Sequence, residues 1–143
     1  MTFGEVATVG VVGLGDTGLP LALSLAGSGL LTTGLDADRA KVDALRVGRS
    51  YLPGVSAEDL VATADWFEPT GDPSRLAGLD AYVICVPAPL QAADLLGPLL
   101  RAGSVVEARS PVSVPRLAAR LAAGSGLRPG VDFHITEPGA AAA

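Results

Sequence analysis

Aromatic residues make up only 4% of a chain that is 49% apolar, so the core must be built mainly from Val, Leu, Ala and Ile. Cysteine occurs once, as Cys85, which excludes an internal disulfide and a cysteine-based zinc site, and no metal is expected. Lysine also occurs once, at Lys41. The net charge is −5, the charges are scattered, and no basic cluster or aromatic-interleaved patch points to nucleic acid. Met1–Glu5 has no basic n-region, so a signal peptide is not expected. The apolar stretches are broken by Asp16, Ser24, Ser28 and glycines, which argues against a membrane span or a membrane partner. A reducing cytoplasm is the simplest compartment. A length of 143 residues makes one domain the default and suffices for a sizeable core without staples.

What is present in abundance is glycine, and its placement is the strongest signal. An apolar run, Val6–Val12, reads as a buried strand and is followed by Gly13, Gly15 and Gly18. Leu19–Ala26 then reads as a helix. This is the strand–turn–helix setting of a dinucleotide fingerprint. Gly13 permits the tight turn, Gly15 lets the backbone approach a pyrophosphate, and Gly18 lets helix and strand pack closely. The helix N-terminus offers free N–H groups and a positive dipole end to phosphates. A second apolar run ends at Asp36, 18 residues after Gly18 and near the ~20 expected for the acid that holds an adenosine ribose. The plainer alternatives are a glycine turn that binds nothing and a surface acid at a strand end.

Strand and helix patterns alternate along the chain. Strands are expected over Val6–Val12, Leu31–Asp36, Trp66–Glu68, Ala81–Val86, Ser104–Ala108 and Val131–Thr136. Helices are expected from Thr17 to Ala26 and over Ala37–Arg46, Ala57–Ala64, Leu90–Leu100 and Pro115–Ala123, with a capped turn at Asp72–Gly78. The pattern predicts an α/β fold, a doubly wound parallel sheet of about six strands in a single Rossmann-like domain. Residues 1–137 are expected to form the dinucleotide-binding domain and 138–143 a flexible tail. Loops after strands one, two, four and five fall on the ligand edge of such a sheet.

Four segments together resemble the NAD-binding domain of the UDP-glucose/GDP-mannose dehydrogenase family. They are Gly13–Ala22 (GLGDTGLPLA), Gly34–Asp38 (GLDAD), Val83–Leu90 (VICVPAPL) and Gly126–Phe133 (GLRPGVDF). The resemblance implies that NAD is the cofactor. Gly13, Leu14, Gly15, Asp16, Thr17 and Gly18 would form its pyrophosphate turn, and Asp36, with Arg39 nearby, would lie at the ribose. Val86, Pro87 and Ala88 would lie along the cofactor. The family carries a second, substrate-binding domain with a catalytic cysteine and lysine, and Cys85 matches a strand cysteine rather than that nucleophile. The chain stops before that domain, so it is expected not to oxidise a sugar alcohol to an acid by itself.

Several residues depart from the family pattern. Asp16 stands where an aromatic is usual, and Ala88 replaces a threonine. The loop after Pro89 is short, which should open the cleft. In the preferred register Ser110 occupies the position of the family's catalytic threonine and Arg109 that of the serine before it; a one-residue slip would put Arg109 at the threonine. Arg109 and Ser110 are therefore the candidate catalytic residues, with Asp16, Glu137 or an incoming ligand as partners for the Arg109 charge. Glu107 reads as a solvent-facing strand residue, Cys85 as a small core residue and His134 as structural.

The expected function is NAD binding by a single-domain relative of nucleotide-sugar dehydrogenases, redox-active only with substrate groups from elsewhere. The alternatives are a non-redox enzyme of cyclase or isomerase type that reuses the cleft, and a non-catalytic binding or regulatory subunit. The expected partners are a small molecule in the cleft and a second copy of the chain or another subunit.

Overall fold

The computed structural model describes residues 6–136, so Glu137 and the expected tail at 138–143 lie outside the described residues. The strands are β1 (Thr8–Val12), β2 (Leu31–Leu35), β3 (Phe67–Thr70), β4 (Ala81–Ile84), β5 (Val105–Ala108) and β6 (His134–Thr136). The helices are α1 (Gly18–Gly27), α2 (Arg39–Arg46), α3 (Ala57–Ala62), α4 (Pro89–Leu96) and α5 (Val114–Ser125). The six strands form one parallel sheet in the order β3-β2-β1-β4-β5-β6. Parallel neighbours need crossovers, and the chain reverses direction across the sheet at β1, where β2 lies on one side and β4 on the other. A doubly wound sheet opens its crevice at that switch point, beyond the carboxyl ends of the strands.

Alternation along the buried strands feeds two cores. Val9, Val11, Ala81 and Val83 pack with Leu19, Ala22 and Leu60 on the α1 face. Val12, Tyr82, Ile84 and Val106 pack with Leu96, Leu117 and Phe133 on the α4–α5 face. Gly97 and Gly124 meet where α4 ends against α5, and a Cβ on either would stand about 3 Å from the other's Cα. Aliphatic packing thus covers both faces with little aromatic volume.

Local chemistry sets the element ends, and several differ from the sequence expectation. The side chain of Asp38 accepts from the Ala40 N–H, so it caps α2 and the helix starts at Arg39 rather than Ala37. Ser56 and Asp59 form a reciprocal capping box on α3, as the Ser-x-x-Asp spacing suggests. Pro89 takes the first position of α4, where a missing N–H costs nothing. β3 tolerates Pro69 because it is an edge strand. β4 stops at Ile84 rather than Val86, since Pro87 has no N–H with which to continue a ladder. β6 is shorter than expected because the N–H groups of Val131 and Asp132 turn back to the Arg128 carbonyl.

Candidate functional site

The glycine turn links β1 to α1 with little room to spare. Gly13 has φ +96°, a conformation that favours glycine, and its N–H donates to the Leu35 carbonyl at 2.7 Å. A Cβ on Gly18 would overlap the Gly13 carbonyl oxygen, so α1 can begin this close to β1 only with glycine there. Gly15 is different: no protein atom stands within 4 Å of the place its Cβ would take. Thr17, the N-cap of α1, makes no side-chain capping bond. The turn therefore presents helix N–H groups beside open space, which suits an incoming phosphate.

Leu14 is held from both sides. Its side chain is fully buried, its N–H donates to Asp36 Oδ2 at 2.9 Å, and its carbonyl accepts from the Tyr51 hydroxyl at 2.6 Å. Asp36 Oδ1 accepts the Asp38 N–H at 2.8 Å. Each carboxylate oxygen thus takes one backbone donor and keeps capacity for another, enough for a ribose diol. Burial pushes the Tyr51 phenol up to about 12, and the charges of Asp36 and Asp38 add to the rise. Lys41 Nζ lies 5.6 Å from the centre of the Tyr51 ring. The sequence reading missed Tyr51; a tyrosine just ahead of Pro53-Gly54 was the only local hint.

A cleft of about 510 Å³ opens beside this turn. Gly13 and Asp36 form one wall, and Val86, Pro87 and Ala88 face them with Ala92 and Leu95 of α4. The structure thereby brings together the glycine turn, the strand-two acid and the Val-Pro-Ala segment. Asp16 and Thr17 are exposed at the start of α1 and do not line the cleft. Arg39 lines a neighbouring groove that Asp36 shares, with Arg46 and Asp72.

The end of β5 differs from expectation. Glu107 does not face solvent: it is fully buried, on the α1 face beside its register partner Val83. Strand alternation puts it there, because Val106 and Ala108 occupy the α4–α5 face. Its charge meets Arg109, with Arg109 Nε 2.6 Å from Glu107 Oε2. Asp16 is therefore not the partner of Arg109, and Glu137 lies outside the described residues. The Ser110 hydroxyl donates to the Val86 carbonyl at 2.6 Å and ties the loops after β4 and β5 together. Cys85 sits just past β4 and is half-buried rather than a strand core residue. Burial pushes its thiol up to about 11; Glu107 adds to the rise and Arg109 opposes it. His134 is exposed on the edge strand β6.

Residues 7–114 match the NAD binding domain of the UDP-glucose/GDP-mannose dehydrogenase family. The chain belongs to this family. It is similar to an NDP-N-acetyl-D-galactosaminuronic acid dehydrogenase from Ralstonia nicotianae, at 32% identity over 76% of this chain and 29% of the relative. It is also similar to a UDP-N-acetyl-D-mannosamine dehydrogenase from Salmonella typhi, at 29% identity over 88% of this chain and 33% of the relative. The fold superposes on a UDP-D-ManNAc dehydrogenase from Pyrococcus horikoshii with a TM-score of 0.84 at 24% identity, over 91% of this chain and 35% of that one. The chain thus spans about a third of the length of the dehydrogenases it resembles. Within the UDP-glucose/GDP-mannose dehydrogenase family the dinucleotide-binding part is the part present here, as the three quoted segments inside residues 7–114 implied. No helix among the described residues is long and apolar enough to cross a membrane.

Proposed function

We propose that the chain binds NAD across the switch point and serves as the dinucleotide-binding part of a nucleotide-sugar oxidoreductase. The observation that carries this reading is the Gly15 turn, open above and set on an α1 terminus that lacks a side-chain cap. Asp36 holds the adenosine ribose through its two oxygens, and the backbone of Gly13–Gly18 holds the pyrophosphate. Val86, Pro87 and Ala88 close the opposite wall and exclude water from it. NAD, when bound, supplies a hydride acceptor. This chain's own residues bind and orient the dinucleotide.

The sugar-oxidising groups come from elsewhere in this reading, from a second copy, another subunit or further polypeptide. Cys85 is the chain's only thiol, and a half-buried thiol pushed up to about 11 is a poor nucleophile near neutral pH. A free, unpaired cysteine fits a reducing cytoplasm.

Titration calorimetry with NAD on the wild type and on Asp36→Ala tests the proposal. Saturable binding that Asp36→Ala weakens by ~10-fold or more supports it, as expected for loss of charge-assisted hydrogen bonds. Absence of NAD binding by the folded wild type overturns it.

A further inference from the structure

Apart from the cofactor cleft, one polar group stands out: the cluster of Glu107, Arg109 and Thr136 at the carboxyl ends of β5 and β6. A fully buried carboxylate is costly unless it is paired and hydrogen-bonded. Glu107 is fully buried, and neither of its oxygens accepts a hydrogen bond from a described residue. The contact from Arg109 Nε to Glu107 Oε2, at 2.6 Å, is an ion pair without hydrogen-bond alignment. Thr136, the register partner of Glu107 on β6, has a buried hydroxyl with no partner among the described residues.

Arg109 occupies the boundary between this interior charge and solvent. Its backbone N–H is fixed to the Ile84 carbonyl at 2.8 Å, and its side chain is 36% exposed. Glu107 meets the guanidinium at Nε, and the two terminal nitrogens form no hydrogen bond to a described residue. Those nitrogens are the prongs of the fork that grips carboxylates and phosphates through paired bonds. Arg109 and Thr136 also line a cavity of about 290 Å³ that reaches to Leu117 of α5. Asp36 and Gly13 line a different one.

We propose that Arg109 is the binding residue of a second site that takes an oxyanion, a carboxylate or a phosphate, beside the dinucleotide cleft. Glu107 is its positioning residue. It acts through the guanidinium, holding Nε from below so that the free prongs face the cavity. It also makes the pair neutral, so the site draws oxyanions by geometry rather than by a strong field. This inference stands apart from the NAD reading, because none of its residues lines the cleft of Asp36.

The test is an NMR titration that follows the Arg109 Nε–Hε resonance together with the backbone amide resonances of residues 109 and 110, which remain readable in Arg109→Lys. Acetate and inorganic phosphate are added in separate arms at ionic strength held constant with chloride, with and without NAD. The expected result is a saturable shift of those resonances in at least one arm, which tells a carboxylate site from a phosphate site, and which persists with NAD present. Arg109→Lys should weaken the binding by ~10-fold or more, since a point charge cannot form the paired bonds. Glu107→Gln should weaken it and broaden the Arg109 resonance while leaving NAD affinity unchanged. Should Glu107→Gln not fold, Arg109→Lys on its half-exposed side chain still decides. A shift that does not saturate, equal affinity in Arg109→Lys, or displacement of the anion by NAD would overturn the proposal. Failure of NAD to bind would touch only the reading of the cleft.

Discussion

The Tyr51 hydroxyl donates to the Leu14 carbonyl at 2.6 Å, which ties the loop after α2 to the first residue inside the glycine turn. Tyr51→Phe removes that bond and leaves the carbonyl half-buried without its donor. The expected loss is about 0.5–1.5 kcal/mol of stability. A weaker NAD affinity should accompany it, because Leu14 is then positioned by Asp36 alone. Denaturant unfolding and NAD calorimetry on the variant check both effects, and unchanged values in both would remove Tyr51 from the site.

The same phenol sets a pH dependence. Its value is raised from 10.0 to about 12, so the folded state holds the proton more tightly than the unfolded state does. A raised group contributes its full stability below its unfolded value and loses it as pH climbs through the folded value. Stability should therefore fall between pH 10 and about 12, over the interval that separates the two values. Unfolding measured across that interval should show a shallower slope in Tyr51→Phe, in which Tyr82, also raised by burial, still titrates.

The glycines of the turn should separate into a structural and a binding pair. Gly18→Ala forces backbone apart at the Gly13 carbonyl and should cost about 1–3 kcal/mol or more. Gly15→Ala meets no protein atom within 4 Å, so the fold should persist while NAD affinity drops. Chemical denaturation of both variants, beside NAD titration of Gly15→Ala, separates the two roles. Equal loss of stability in both would contradict the division.

NAD should be preferred to NADP. A 2′-phosphate would meet the Asp36 carboxylate, already fixed by the Leu14 and Asp38 N–H groups, and Arg39 lines the neighbouring groove rather than the cleft. At 100 times its dissociation constant a ligand adds about 2.7 kcal/mol of stability, so a thermal shift assay reads the preference directly. A larger shift with NADP would reverse the assignment.

Self-association is expected as well. Val47, Val61 and Trp66 are exposed at the end of α2, on α3 and just before the edge strand β3. Exposed apolar side chains favour an interface, and a two-fold dimer is the commonest form. Light scattering over a concentration series measures this, and a monomer throughout would exclude it.

The fold was readable because its signals are local. The glycine spacing, the apolar runs and the cap at Ser56 each depend on a few neighbouring residues, whereas the cap at Asp38, which starts α2 two residues later than expected, was not read. Asp36 was readable, because its distance from the turn is fixed by one helix and one strand. Tyr51 was not readable, because its bond to Leu14 spans 37 residues and depends on how the loop after α2 folds back. Glu107 was misread for a related reason. In a strand buried on both faces alternation carries no solvent signal, so an acid there looks like an outward residue until its neighbours are known. Ser110 read as a reacting hydroxyl, yet its proton is directed at the Val86 carbonyl, a contact only the paired strands create.

The position of β1 has a consequence for the order of assembly. Asp80 accepts the N–H groups of Ala7 and Thr8, and the Asp80 N–H donates to the Thr8 hydroxyl across 72 residues of chain. A polypeptide leaving the ribosome presents its first strand long before β4 exists to flank it. Loop closure over such a span is slow, and parallel pairing rewards it late. The carboxyl end of β1 is then completed late, because Cys85, whose N–H donates to the Val12 carbonyl, has yet to be synthesised. The ligand edge is thus among the last regions to take shape, although most of its recognisable sequence is made first.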